Sequence, residues 1–248
     1  MPYQFTVSPD FGPTQLSGWH IFNTYLQKNL GENIHLEIYD SFQAQRDAIQ
    51  QDNVDLIYAN PYEASMLVRE KGFLPVARPK GKSDEIVIAV NAESSTEAVE
   101  DLEEGCRISS TVDPDVWMIS MILLESADLN VSNISRTKRD SYILVAKDLL
   151  RGEADAGFFL AEAYEGLSSM VKKQLRPLVS SQIQVVHHGL MVGPALAGRR
   201  DELSKLMIAM ESEQKGKGVL EGLEISGWDE FKQEEAEFMI DLMSTLET

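Results

Sequence analysis

The heptapeptide Asp52-Asn53-Val54-Asp55-Leu56-Ile57-Tyr58 has a counterpart one hundred positions on, Gly152-Glu153-Ala154-Asp155-Ala156-Gly157-Phe158. Each follows an amphipathic stretch of helical period, Gln43 to Gln50 and Ser141 to Leu150. Each then passes through a polar turn and an aspartate into a short apolar run that reads as a buried strand. Two copies predict two similar α/β lobes. Ligands of open α/β sheets lie beyond the carboxyl ends of the strands, and small molecules favour clefts between lobes. The lobes are therefore expected to present those ends to a shared cleft.

The 248-residue chain carries 40 Asp and Glu against 22 Lys and Arg, a formal net charge of −18. Phosphate backbones and anionic lipid surfaces call for clustered Lys and Arg, so nucleic acid and membrane are excluded as partners. The same field opposes an anionic ligand at long range unless local donors overcome it. With 43% hydrophobic residues and no low-complexity tract the composition is globular, and a chain of this length buries roughly 70 to 75% of its unfolded surface. The longest apolar run, Val116 to Leu124, is broken by Ser120 and too short to span a bilayer. No basic and apolar leader opens the sequence, which as written reads as cytoplasmic, or as periplasmic if an export signal has been removed.

Along the chain the spacing predicts strands at Tyr3 to Ser8, His35 to Tyr39 and Val54 to Ala59, with helices at Leu16 to Leu30, from Gln43, and at Tyr62 to Lys71. A strand at Phe73 to Ala77 and the basic turn Pro79-Lys80-Gly81-Lys82 lead to a first crossover strand, Glu85 to Val90. A second set repeats the pattern: strands at Arg107 to Thr111, Val131 to Thr137, Ala154 to Phe159 and Arg176 to Ser180, with helices at Val116 to Ser126, Ser141 to Leu150 and Ala161 to Lys173. Ile183 to Val192 reads as the return crossover, and Arg200 to Lys215, Gly218 to Leu223 and Asp229 to Leu246 as helices. Alternation of strand and helix predicts largely parallel sheets. No HExxH, GxSxG, Walker A or Cys/His zinc spacing occurs, so no catalytic, metal or cofactor signature is present. Gly216-Lys217-Gly218 has the wrong spacing and context for a dinucleotide and reads as a loop. Cys106, the only cysteine, excludes an internal disulfide and reads as an inert thiol.

Asn53-Val54-Asp55-Leu56 with Asn60-Pro61, Pro75-Val76-Ala77-Arg78-Pro79, Glu153-Ala154-Asp155, and Gly218-Val219-Leu220-Glu221-Gly222-Leu223 with Trp228 occur in an order and spacing that extend over nearly the whole chain. In these phrases the chain resembles the phosphate/phosphonate-binding receptors of ABC importers, a branch of the type 2 periplasmic-binding-protein fold. The resemblance implies a two-lobed α/β fold with mixed, mostly parallel sheets and two crossover hinge strands. Residues 1–88 and 190–248 would form a discontinuous first lobe and 89–189 the second.

The family grips its phosphonate with a Ser-Thr-Ser-Gly turn at a helix N-terminus, where hydroxyls, backbone N–H groups and the helix dipole converge on an anion. By resemblance that turn falls on Asp113-Pro114-Asp115-Val116, and the hydroxyl cradle is absent. Asp113 or Asp115 is suited to capping the helix, a role in which its carboxylate fills the donors an anion needs. Ser110 and Thr111 stand just upstream as partial substitutes. The remaining family contacts map onto Phe42 and Asp84 in place of tyrosines, Tyr142 in place of a histidine, Glu162 as the acidic residue, and His188 in place of an aspartate. Each also has a structural reading: Phe42 as core, Tyr142 as a helix cover, Glu162 as a favourable charge at a helix start, and His188 as a hydrogen-bonded strand residue whose neighbour His187 points the other way. If Asp84, Asp113, Asp115, Glu162 and His188 share one pocket, a cationic, amine-bearing or metal-coordinated ligand is favoured over a bare oxyanion.

The expected function is a non-enzymatic, monomeric solute-binding protein that closes over a small polar ligand and serves an ABC permease or a sensor protein. Two alternatives remain at this stage: an enzyme reusing the cleft, similar to the menaquinone-pathway lyases, with Glu162 and His188 as acid and base, and a ligand-sensing regulatory module.

Overall fold

The computed structural model describes residues 2–246. The described residues divide into two units, one formed by 2–82 together with 187–243, the other by 83–186 together with 244–246.

Unit 1 begins with β1 (Tyr3–Val7), α1 (Leu16–Leu30), β2 (Ile34–Glu37), α2 (Phe42–Gln50), β3 (Leu56–Ala59) and β4 (Leu74–Pro79). Unit 2 follows with β5 (Ile86–Asn91), β6 (Arg107–Ser110), α3 (Pro114–Leu123), β7 (Ser135–Lys138), α4 (Tyr142–Leu150), β8 (Ala156–Leu160), α5 (Ala161–Glu165), α6 (Ser169–Lys172) and β9 (Leu175–Ser180). The chain then returns to unit 1 with β10 (Gly189–Val192), α7 (Arg200–Ala209), α8 (Gln214–Gly222), β11 (Trp228–Glu230) and α9 (Gln233–Leu246), the last up to Met243. The first sheet has the order β11-β4-β10-β3-β1-β2 and the second β7-β6-β8-β5-β9. In the first, β1 to β4 run one way and β10 and β11 the other; in the second, β6 to β9 run together and β5 opposes them. Both sheets are mixed, with most strands pointing the same way.

The sequence echo has a hydrogen-bonded cause. Asp55 accepts the Gln4 N–H on its Oδ2 at 2.8 Å and returns its own N–H to the Gln4 carbonyl, also at 2.8 Å. Asp155 does the same to Arg107 with the same two distances. These clasps start the parallel registers Phe5↔Leu56 and Ile108↔Ala156. The turn before each aspartate needs a left-handed residue, supplied by Asp52 (φ 57°) and Gly152 (φ 68°). The repeat extends back to the helix starts, where Ser41 caps α2 by accepting the Ala44 N–H at 3.2 Å and Ser141 caps α4 by accepting the Leu144 N–H at 3.4 Å.

Each sheet carries its own core. Phe5, Trp19, Phe22, Leu26, Leu56 and Trp228 fill unit 1, and Val87, Val145, Leu149, Phe159 and Tyr164 fill unit 2. The segment read as a glycine-rich loop is helical instead, within α8. Its glycines serve close approach: a Cβ on Gly216 would stand 2.3 Å from the Met210 carbonyl oxygen, and one on Gly18 of α1 would stand 2.0 Å from that of Gly222. The expected helices Tyr62 to Lys71 and Ala161 to Lys173 are broken into short pieces, a 3-10 turn with a π-helical turn in the first case and α5 with α6 in the second. Gly166 ends α5, and Ser168 starts α6 by accepting the Val171 N–H.

The two crossover segments also take part in the sheets. Of Glu85 to Val90, β5 lies between β8 and β9 inside the second sheet. Of Ile183 to Val192 only Gly189–Val192 is a strand, between β3 and β4 of the first sheet. The chain changes unit at 82/83 and 186/187. Just inside unit 2 the two passages are tied together, with the Asp84 N–H donating to the Val186 carbonyl at 2.7 Å. The Glu85 carboxylate accepts the Ser181 hydroxyl and the N–H groups of Ile183 at 2.9 Å and Gln184 at 2.6 Å. Burial raises this carboxyl, but those bonds outweigh it and hold it below the usual range.

The clasp analysis gives a stability expectation. Asp55→Ala removes the acceptor for the Gln4 N–H and should cost about 1.5 to 3 kcal/mol in urea unfolding. Asp55→Asn keeps an acceptor oxygen and should lose clearly less; equal losses for the two would show that the acceptor is not what matters.

Candidate functional site

Unit 1 collects polar side chains at the carboxyl ends of β1 and β3. The turn after β1 carries Asp10, the end of β3 leads into Asn60, and His188 immediately precedes β10, whose Gly189 pairs with Ala59. Asp10 Oδ2 accepts from Asn60 Nδ2 at 2.8 Å and lies 2.9 Å from His188 Nε2. The side chains of His188 and Asp10 are 11% and 10% exposed. The His188 ring lies flat on Tyr58, centroids 5.3 Å apart and planes at 21°, and Tyr58 in turn packs against Trp19 and Trp228. Burial pushes the Asp10 carboxyl up, but the His188 charge and the bonds from His188 and Asn60 outweigh it and hold it at about 2. His187 turns away: it is buried edge-on against Phe231, which also packs so closely on Gly189 that a Cβ there would meet the ring at 2.6 Å. Phe42, half-buried, is the first residue of α2.

Unit 2 builds its edge at the carboxyl ends of β6, β7 and β8. Asp113 holds the backbone position of an α3 N-cap, yet its side chain makes no capping bond. Its Oδ2 instead accepts the Tyr142 hydroxyl in a short hydrogen bond. For Asp113 this corrects the expectation of a capping carboxylate: its side chain goes to the ring at the start of α4 instead. Burial, then the Asp113 charge, raise Tyr142 well above the ordinary phenol value, so it remains a donor. Its ring stacks on Phe159, centroids 6.1 Å apart. Asp115, in the first turn of α3, is 1% exposed. Thr111 is buried, with its Oγ1 3.5 Å from the Asp113 N–H.

Ser110 points elsewhere. Its Oγ accepts from Arg136 Nε at 2.8 Å and donates to the Thr111 carbonyl at 3.2 Å, so it is committed to the framework rather than to a replacement cradle. Arg136 also donates to the Thr111 carbonyl and lies 3.5 Å from the Trp117 ring centroid; burial lowers it to about 10, which leaves it charged at neutrality. Ser109 donates to Asp148, itself paired with Arg139. Glu162 is exposed in the first turn of α5, directly after β8, and Asp84, half-buried, precedes β5. Asp113, Thr111 and Tyr142 are therefore joined by direct contacts in unit 2, while Phe42 and His188 belong to unit 1.

Asp10, Asn60 and Tyr58 were not selected as site residues from the sequence, although a signal existed. Gln4 and Arg107 are clasped by the repeated aspartates, and counting six residues on from each reaches Asp10 and Asp113. The two carboxylates are repeat-related. Among the described residues no three His, Cys, Asp or Glu are grouped as a metal site, and no helix is long and apolar enough to cross a membrane. Cys106 is buried, and burial raises its thiol.

The Asp10 arrangement has a pH consequence. Its carboxyl is lower in the folded state than the ordinary 3.8, so its contribution is complete above about pH 4 and is lost as pH falls toward about 2. That contribution is on the order of 2 kcal/mol. Urea midpoints of the parent and Asp10→Asn, measured from pH 6 to 2, should converge over that window; a constant gap would remove the carboxylate as the cause.

The family model for the periplasmic substrate-binding protein of phosphonate ABC transporters matches residues 5–236. Among solved structures, PhnD1 from Prochlorococcus marinus in complex with methylphosphonate is 13% identical with a TM-score of 0.82, over 99% of this chain and 98% of that one. XAC2383 from Xanthomonas citri, bound to chloride ion, is 12% identical with a TM-score of 0.82, over 99% and 97%. The periplasmic aliphatic sulphonate binding protein SsuA from Escherichia coli is 13% identical with a TM-score of 0.67, over 98% and 86%. None of the curated proteins matches the chain in sequence. The fold is that of these periplasmic binding proteins, and the extent of the family match makes the chain a member of the phosphonate-type substrate-binding proteins of ABC transporters, a class whose partners are a small-molecule ligand and a permease.

Proposed function

We propose that the chain captures its ligand with two half-sites, one at the carboxyl edge of each sheet, and that closure bends the chain near 82/83 and 186/187. Residues up to 82 with 187 onward act as one lobe and 83–186 as the other. Asp113, Asp115, Thr111, Tyr142, Glu162 and Asp84 contribute from unit 2, and Phe42 and His188 from unit 1. The ligand is a small polar molecule rich in hydrogen-bond donors, such as an amine-bearing solute, rather than a bare phosphonate. Capture takes place as a monomer in the periplasm.

One observation carries the ligand class: Asp113 places a buried carboxylate at the start of α3 and binds the Tyr142 hydroxyl there. A helix start favours an anion, but here the protein supplies one of its own. An incoming phosphonate meets like charge, while the donor that would offset it is already engaged. Ser110, one of the two substitute hydroxyls, is held by Arg136. Closure follows from differential affinity, since a ligand shifts the equilibrium only by binding the closed form better.

Thermal unfolding with single probes tests this. Ethanolamine, putrescine and choline stand for amine-bearing ligands, and methylphosphonate and inorganic phosphate for oxyanions. At about 100 times Kd a ligand adds roughly 2.7 kcal/mol, readily seen as a raised Tm. At least one amine should raise Tm and neither oxyanion should; Asp113→Ser, which replaces the carboxylate by a hydroxyl, should gain a response to methylphosphonate. Tight methylphosphonate binding by the parent would overturn the ligand class.

A further inference from the structure

We propose that Asp10 is the positioning residue of the half-site in unit 1, with one carboxylate oxygen fixing both the His188 imidazole and the Asn60 amide and so setting the plane of the ring at that edge. This rests on the reading of that edge as ligand-binding.

The assignment of donors follows from a chain of single choices. Asn60 Oδ1 accepts the Tyr62 N–H at 2.9 Å, which fixes the orientation of the amide. Its Nδ2 is then the group that faces Asp10 Oδ2 at 2.8 Å, and it can only donate. The oxygen receiving that bond also lies 2.9 Å from His188 Nε2. An ionised carboxylate only accepts, so Nε2 must carry the proton. With the ring lying flat on Tyr58, its plane and the proton on Nε2 are both determined. The low value of the Asp10 carboxyl keeps it an acceptor at any pH where the protein works.

The repeat supports the role independently. Asp113, the counterpart of Asp10, also uses Oδ2 to hold a ring-borne donor, the Tyr142 hydroxyl, and that ring too is stacked on an aromatic neighbour, Phe159. In both units the aspartate after the first strand of the repeat orients a ring at the carboxyl edge. The positions are homologous in the repeat; the rings come from different elements, α4 in one case and the residue before β10 in the other.

Ring-nitrogen NMR of the ligand-free protein tests the inference without any ligand. With His188 identified by its loss in His188→Gln, the parent should show an Nε2-protonated ring whose N–H exchanges slowly enough to be seen. In Asp10→Ala, which removes the acceptor, the slow Nε2 N–H should vanish. A parent ring protonated on Nδ1 alone, or an unchanged pattern in Asp10→Ala, would overturn the proposal; the first of these needs only the parent. Failure of every probe in the thermal panel would remove the ligand-class reading and leave this result untouched.

Discussion

The fold depends on one interaction made twice: an aspartate just before a strand takes a backbone N–H near the start of its parallel neighbour and gives its own N–H back. Parallel strands cannot be registered by a tight hairpin, because their connection runs through a helix. Register must then come from the apolar pattern and from a side chain able to recognise a particular backbone position. Asp55 and Asp155 do this beside Gln4 and Arg107. Once these pairs are set, the loops after β1 and β6 emerge at the same edge of their sheets as the ends of β3 and β8. Arg107 strengthens the second clasp with its guanidinium, which holds the Asp155 carboxyl below the usual range.

That edge also bears on the acidity of the protein. Net charge sets the long-range field, whereas recognition is decided by which local groups already have partners. At the start of α3 the helix donors, the Asp113 carboxylate and the Tyr142 hydroxyl form a locally balanced group. In unit 1 the Asp10 charge is set against His188 and Asn60. On the proposed reading the protein's own carboxylate stands where an anionic ligand would, and the hydroxyls of Ser109 and Ser110 nearby are engaged by Asp148 and Arg136.

Much of this was legible in the sequence because the repeat is local and periodic. The strand, turn and aspartate pattern locates β3 and β8, and the alternation of elements gives the two-sheet α/β architecture; Leu16–Leu30 is the helix its spacing predicts. What sequence could not show was choice among partners. Asp113 has the residue type and position of a cap, and only the arrival of Tyr142 from α4 decides that its carboxylate goes elsewhere. Asp10 sits in a Pro-containing turn, where an aspartate ordinarily needs no explanation; its importance comes from His188, 178 residues away. The glycine-rich segment failed as a loop for a similar reason, since Gly216 serves a contact with the Met210 backbone that no local pattern encodes.

The connectors show how a crossover strand can also belong to a sheet, and they constrain the proposed bending. An extended apolar segment leaving one lobe looks the same whether it bridges or joins a sheet. Ile86–Asn91 joins one, and Glu85, just before it, gathers Ser181, Ile183 and Gln184 of the returning chain around a single carboxylate. Gln184 takes a left-handed backbone (φ 60°) within that clasp, a conformation that costs a non-glycine residue free energy and persists only where surroundings enforce it. Both passages are thereby made part of unit 2. The proposed closure cannot bend inside this tied region without breaking charged hydrogen bonds, so it falls on the few residues outside it. His188 lies two positions beyond Val186, where the tied segment ends. A hinge placed there would turn the half-site as a body, provided that the imidazole is anchored to unit 1, and Asp10 is the anchor.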